Sequence, residues 1–258
     1  MRFTVDVNMK YGLKGQEGIL LTLEAARANG QTVVADNLVI SNATVRVMDG
    51  ESGLGKRTWA FVEGDELQLS YSVQVDVDRQ SIPLDSLAAS PLDELPSEVL
   101  TYLRPSRFCQ SDLFTSFVGQ QFDEYSGGAK INAMLNWVGA ELAYVSGSSN
   151  AETTAIDTFV GRVGVCRDYA HLMCSLARAA NIPARYTSVY SVGVQPPDFH
   201  AVAEVWLGGA WHLVDATGMS SPEDTIIIGT GRDAADVAFM ETERWVELIV
   251  QEVAVSSA

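Results

Sequence analysis

The sequence is poor in cysteine, histidine and basic residues, and it contains no long apolar run. Three cysteines in 258 residues are too few, and of the wrong parity, for a disulfide framework, so reduced thiols are expected. Seventeen Lys and Arg against thirty-three Asp and Glu leave a formal charge of -16. That charge repels the phosphates of nucleic acid and anionic lipid head groups, so neither is an expected partner. No stretch approaches the roughly 18 to 20 apolar residues of a membrane span. The opening Met1-Arg-Phe-Thr-Val-Asp-Val alternates instead of forming the apolar core of a signal peptide, and a cytoplasmic location is expected. Without a glycine-rich phosphate loop, a dinucleotide fingerprint or a cluster of metal carboxylates in a supporting context, no cofactor is expected either.

What is present describes an ordinary globular chain, 47% apolar and 19% charged, long enough for two compact units. From Phe3 to about Val77 apolar residues recur with period two, as in Phe3, Val5, Val7, Met9 and Tyr11, and later Leu67, Leu69, Tyr71 and Val73. Gly, Asn and Asp break these runs at short intervals, which predicts an all-β sandwich or small barrel over residues 1–80. Residues 81–97, with Pro83, Pro91 and Pro96, read as a linker. Residues 98–258 read as an α+β domain. Its helical patterns include Ile131, Met134, Leu135 and Val138, a short helix from Asn150 to about Gly161, and a helix that opens near Cys166 and stops before Asn181-Ile-Pro183. Strands are predicted over 184–194, 199–207 and 211–216, the last two joined by Gly208-Gly209, and over 245–255.

The chemistry-bearing residues lie in this second part. Cys166 opens a helix, where unpaired backbone N–H groups and the positive end of the dipole favour a thiolate. His200 and Asp215 fall on two strands joined by a glycine turn, so neighbouring antiparallel strands can present both side chains together. A neutral imidazole takes the thiol proton, and a carboxylate behind it fixes the tautomer. The bland readings are a buried structural cysteine, a core histidine and a turn aspartate. A zinc site built from Cys166, His171, Cys174 and His200 is disfavoured, because Cys-x4-His-x2-Cys is not a usual zinc spacing and His171 points some 140° away from Cys166 on an ideal helix. No metal is expected.

Four ordered blocks carry a resemblance: Arg162-Val-Gly-Val-Cys-Arg-Asp-Tyr-Ala-His-Leu, Asn181-Ile-Pro-Ala-Arg-Tyr, Asp198-Phe-His-Ala, and Trp211-His-Leu-Val-Asp-Ala-Thr-Gly. They resemble the transglutaminase-like superfamily, densely between Leu142 and Gly218. Bacterial members commonly place a β-rich domain before the catalytic core and are usually read as cysteine proteases. The resemblance implies a papain-like core, with a helix bearing the cysteine packed on an antiparallel sheet, and assigns nucleophile, base and orienting acid to Cys166, His200 and Asp215. It departs from many relatives at Ala201, where they carry tryptophan, so the shape of their substrate pocket is not carried over.

The backbone N–H of Cys166 is the natural first oxyanion donor. Trp137 and Tyr144 are candidates for the second. Asp168, in the first helical turn, either compensates the helix dipole or shapes the site entrance. The expected activity is thiol-dependent hydrolysis of a peptide or protein amide through an acyl-enzyme. Transfer of the acyl group to an amine and a non-catalytic peptide-binding scaffold are the alternatives. The sequence leaves substrate and oligomeric state open.

Overall fold

A computed structural model describes residues 1–50 and 53–257. The chain runs β1 (Arg2–Gly12), β2 (Glu17–Leu21), β3 (Gln31–Ile40), β4 (Ala43–Asp49), β5 (Lys56–Val62) and β6 (Glu66–Val77). It continues through α1 (Thr115–Phe122), α2 (Gly127–Glu141), β7 (Ala143–Tyr144), α3 (Ala155–Gly161), β8 (Val163–Gly164) and α4 (Cys166–Ala179). The last elements are β9 (Ala184–Ser191), β10 (His200–Leu207), β11 (Ala210–Val214), β12 (Thr225–Gly231), β13 (Met240–Thr242) and β14 (Glu247–Ser257).

The strict alternation of β1 and β6 buries one face of each, and the two strands pair antiparallel from Arg2 opposite Asp76 to Gly12 opposite Glu66. Two four-stranded sheets result, ordered β14-β1-β6-β3 and β13-β2-β5-β4. Phe3, Val5, Val7, Leu67, Leu69 and Tyr71 from the first share one core with Ile19, Leu21, Ala60 and Val62 from the second. This is the predicted N-terminal sandwich. Burying such side chains contributes roughly 1.5–3 kcal/mol each before chain entropy is counted.

The C-terminal boundary departs from expectation. The final strand was placed with residues 98–258, yet β14 pairs along nearly all of β1, from Phe3 opposite Ser257 to Gly12 opposite Glu247. β13 likewise extends the second sheet through β2. The reason is the unfilled edge of β1: its N–H and C=O groups on that side have no partner inside residues 1–80. The linker carries only short 3-10 turns, but it is strapped down, with Ala89 bridging Leu207 and Gly128 N–H donating to Leu87 O at 2.9 Å.

The third sheet, ordered β11-β10-β9-β12, supports α4. β12 was not anticipated, because the apolar run Ile226-Ile227-Ile228 is buried throughout and has no alternation to betray it. α4 is buried on almost every side from Asp168 to Arg178, packed on β9 and β10 and ringed by α1, α2 and α3. It ends where Asn181 turns left-handed at φ 58° and Ile182 N–H returns to Ala177 O. Tyr190, Ile226 and Ile228 reach into the sandwich core, and Tyr190 Oη donates to Leu23 O at 2.7 Å. The helical core and the sandwich are therefore packed as neighbours, and the crevice between them matters below.

Candidate active site

Three local devices place Cys166. α3 starts at the Thr154 capping box, later than the Asn150 expected from sequence, and ends at Arg162 with φ 57°. The parallel pair β7 and β8 then brings Tyr144 opposite Gly164, two residues before the cysteine. At the start of α4, Asp168 Oδ2 accepts from Val165 N–H at 2.9 Å, half of a capping box. A Cβ at Gly164 would stand 2.8 Å from Asp168 Cβ, so this close approach needs glycine. Asp168 is buried and acts here as a cap; Arg167 lies 3.3 Å from its other oxygen.

His200 is the first residue of β10 and Asp215 the first beyond β11, rather than within that strand as expected. The chain leaves the sheet because Asp215 organises a turn: its Oδ1 accepts from Thr217 N–H at 2.8 Å and Thr217 Oγ1 at 2.6 Å. Ser220 donates to Oδ2 through N–H at 2.9 Å and Oγ at 2.8 Å. His200 Nε2 meets the same Oδ2 at 2.9 Å, with both side chains almost entirely buried. A carboxylate accepts, so Nε2 carries the proton and Nδ1 is the free base in the neutral ring. Nδ1 is buried without a hydrogen-bond partner, and the Cys166 thiol lines the same cleft as His200.

The electrostatics follow from that arrangement. Burial pushes the His200 imidazolium down, but the hydrogen bond to Asp215 and the negative charges of Asp215 and Cys166 outweigh it, bringing its pKa up to about 9. Burial raises the Asp215 carboxyl, while His200, Thr217 and Ser220 more than offset this and hold it below the usual range.

The β7–β8 pairing sets Tyr144 near the start of α4, with its ring 5.8 Å from that of Tyr169. Burial first, then the charges of the thiolate and Asp198, push its phenol up to about 12, so it stays a proton donor at neutral pH. Trp137 is not brought to the site. On α2 it packs among Phe117, Phe122 and Phe159, with Arg162 over its ring at 4.6 Å, because that face of the helix meets α1 and α3.

The other thiols, Cys109 and Cys174, are buried against one another, whereas Cys166 is half-exposed. His171 is a structural residue, stacked on Phe108 with Nε2 accepting from Ala234 N–H at 3.1 Å, and burial holds it neutral. His212 faces Leu207 O at 3.1 Å. Among the described residues no group of three or more His, Cys, Asp or Glu side chains gathers that could hold a metal ion.

Cys166 and His200 line a cleft of about 820 Å³. Its lining includes Arg107, Phe108 and Arg167, Asp198 and Gln251, and the segment from Ala234 to Thr242 apart from Asp236. Sequence patterns gave no sign of the part supplied by β13 and β14, which reach the cleft only through their pairing with the sandwich.

The family model of the transglutaminase-like superfamily matches residues 113–216, a span holding Cys166, His200 and Asp215. A solved protein from Cytophaga hutchinsonii, titled "Putative Cysteine Protease", is 30% identical, superposes with a TM-score of 0.91, and is matched over 99% of this chain and 90% of its own. The chain belongs to the transglutaminase-like superfamily. Two mycobacterial proteins, both named as uncharacterized, are also similar. The Mycobacterium leprae protein is 29% identical over 145 residues, which is 53% of this chain and 52% of that one. The Mycobacterium tuberculosis H37Rv protein is 31% identical over 112 residues, 38% and 36% of the two. The chain thus spans about half the length, or less, of these curated relatives.

Proposed function

We propose that this chain is a thiol-dependent amide hydrolase in which Cys166 is the nucleophile, His200 its base and Asp215 the group that orients the histidine. The observation that carries the reading is the His200 ring, tied at Nε2 to a carboxylate and left without a partner at Nδ1, in a cleft that the partly buried Cys166 also lines.

In this reading Nδ1 takes the thiol proton and the Cys166 sulfur attacks the amide carbonyl carbon. The tetrahedral oxyanion faces the Cys166 N–H and the Tyr144 phenol. The imidazolium returns its proton to the departing nitrogen, leaving a thioester on Cys166 and a free amine. A water molecule then gives a proton to Nδ1 as its oxygen attacks the thioester, and the carboxylic acid leaves with the thiol restored. The name borne by the Cytophaga hutchinsonii protein favours water over an amine as acceptor.

The test is single turnover on a peptide-amide library, with and without added primary amine, read by mass spectrometry. A transient acyl adduct on Cys166 that resolves to free acid supports hydrolysis. An adduct that resolves mainly to the amide of the added amine replaces it with transfer, and no adduct on any substrate leaves the scaffold reading.

Tyr144→Phe tests the second oxyanion donor. Losing one such donor lowers kcat by about 10²-fold while leaving KM nearly unchanged. A kcat within a factor of about 3 of the parent assigns the phenol a packing role beside Tyr169, whose ring lies 5.8 Å away.

A further inference from the structure

The cleft carries a charge asymmetry that the reaction itself does not use. Phe108 is fixed, its N–H held by the buried Asp233 at 2.9 Å and its ring stacked on His171. Two guanidiniums flank that ring, Arg107 at 4.9 Å and Arg167 at 5.8 Å from its centroid. Arg107 is exposed, and among the described residues it joins no ion pair with a carboxylate. Arg167 donates to Asn150 O and lies 3.3 Å from Asp168, but its Nε is buried with no acceptor. Among the described residues Arg107 is thus left without a carboxylate and Arg167 is paired only with Asp168, and both line the cleft beside Cys166.

The cleft's own acids do not supply a partner carboxylate. Asp198 and Glu241 also line the cleft, but neither pairs with Arg107 or Arg167, and Asp198 Oδ1 is occupied by Gln251 Nε2 at 2.9 Å and Phe199 N–H at 2.8 Å. The mechanism orients the substrate along the cleft. The acyl group stays bonded to the sulfur at the start of α4, beside Arg167, whereas the amine departs past His200, two residues after Asp198.

Resting on the thiol reading above, we propose that the cleft selects acyl groups that carry a carboxylate near the scissile carbonyl, as in glutamyl amides, and that Arg107 and Arg167 recognise it. Guanidinium and carboxylate match in planar, two-point geometry, and a partly desolvated pair of this kind orients as well as binds.

The test uses N-blocked chloromethyl ketones of glutamate, glutamine and lysine. Each places its own side chain where the acyl part of a substrate sits, and each alkylates a thiol by displacing chloride. The rate of adduct formation at Cys166 is followed by mass spectrometry. The glutamyl reagent should react about 10-fold faster than the glutaminyl one, with the lysyl reagent slowest, and the preference should shrink in high salt. Arg107→Glu should cut the glutamyl-to-lysyl ratio at least about 10-fold, and Arg107→Gln should give an intermediate ratio should the reversal disturb folding.

Equal rates, or the lysyl reagent fastest as the net charge of the chain alone would dictate, overturn the proposal and leave the nucleophile standing. Labelling of Cys166 no faster in the parent than in His200→Ala sinks the nucleophile reading, and the proposal with it.

Discussion

His200→Ala is expected to lower the rate of amide hydrolysis by about 10³-fold and to slow alkylation of Cys166 by iodoacetamide, with the fold intact. In the proposed mechanism the imidazole serves twice, as acceptor of the thiol proton and donor to the leaving nitrogen, and a positioned acid–base group contributes about 10²–10⁴-fold. Uniformly sluggish alkylation of all three cysteines in the parent chain would falsify the triad, since Cys109 and Cys174 are buried and set the unactivated baseline.

Asp215→Asn sharpens the same point through pH. The folded-state pKa of His200 is raised, from the ordinary 6.5 to about 9. The imidazolium's contribution to stability is therefore complete below about 6.5 and lost as pH rises through about 9. The Asp215 carboxyl is depressed, so its contribution is present above the ordinary carboxylate range and lost as pH falls through its lowered value. Removing the Asp215 charge takes away the main support of the imidazolium. The alkaline limb of kcat/KM, near pH 9 in the parent chain, should move down by about one pH unit or more. A limb that stays in place would mean that the Cys166 thiolate alone holds the histidine charged.

A second large effect is expected far from the thiol. Val253→Asp should destabilise the chain by about 3 kcal/mol or more, while Leu248→Asp on the same strand should change stability by about 0.5 kcal/mol or less. Val253 is 6% exposed and stands opposite Val7, inside the sandwich core; Leu248 is 58% exposed on the edge. Urea midpoints of the two variants decide it. Equal, small effects would show that β14 is not an integral strand of the first sheet.

The consequence for the site is direct. Tyr11 Oη donates to Gln251 Oε1 at 2.7 Å and Gln251 Nε2 donates to Asp198 at 2.9 Å, so β1 and β14 of the sandwich hold the segment that enters β10 at His200. The sandwich strands thus supply side chains that contact the cleft.

How much of this could be read from the residues depends on range. The start of α4 at Cys166 was legible because its determinants are local: helix formers after the cysteine, Asp168 in the first turn, and a stop at Asn181-Ile-Pro183. The alternation of β1 and β6 was legible for the same reason, since a half-buried strand writes period two into its own sequence. The order of Cys166, His200 and Asp215 is what suggested the chemistry proposed for them.

Asp215 shows where local reading stops. Alternation placed it on a strand, but its bonds to Thr217 and Ser220 pull it into a turn, and from there it reaches His200. Trp137 and Tyr144 were equal candidates in sequence; parallel pairing of β7 with β8 put one beside the nucleophile, and helix packing kept the other away. Neither β12, uniformly buried, nor the partner of β14, more than 230 residues away along the chain, has a signature within its own segment.

By itself, then, the sequence determined the elements and the reactive residue types, because propensity, alternation and capping act over a few neighbours. Only the tertiary structure decided which carboxylate oxygen meets His200, which aromatic lies near the start of α4, and that Arg107 and Arg167 share one ring in a cleft that β13 and β14 also line. Those are contacts between residues distant in the chain, set by which sheet edges needed partners and which faces needed covering.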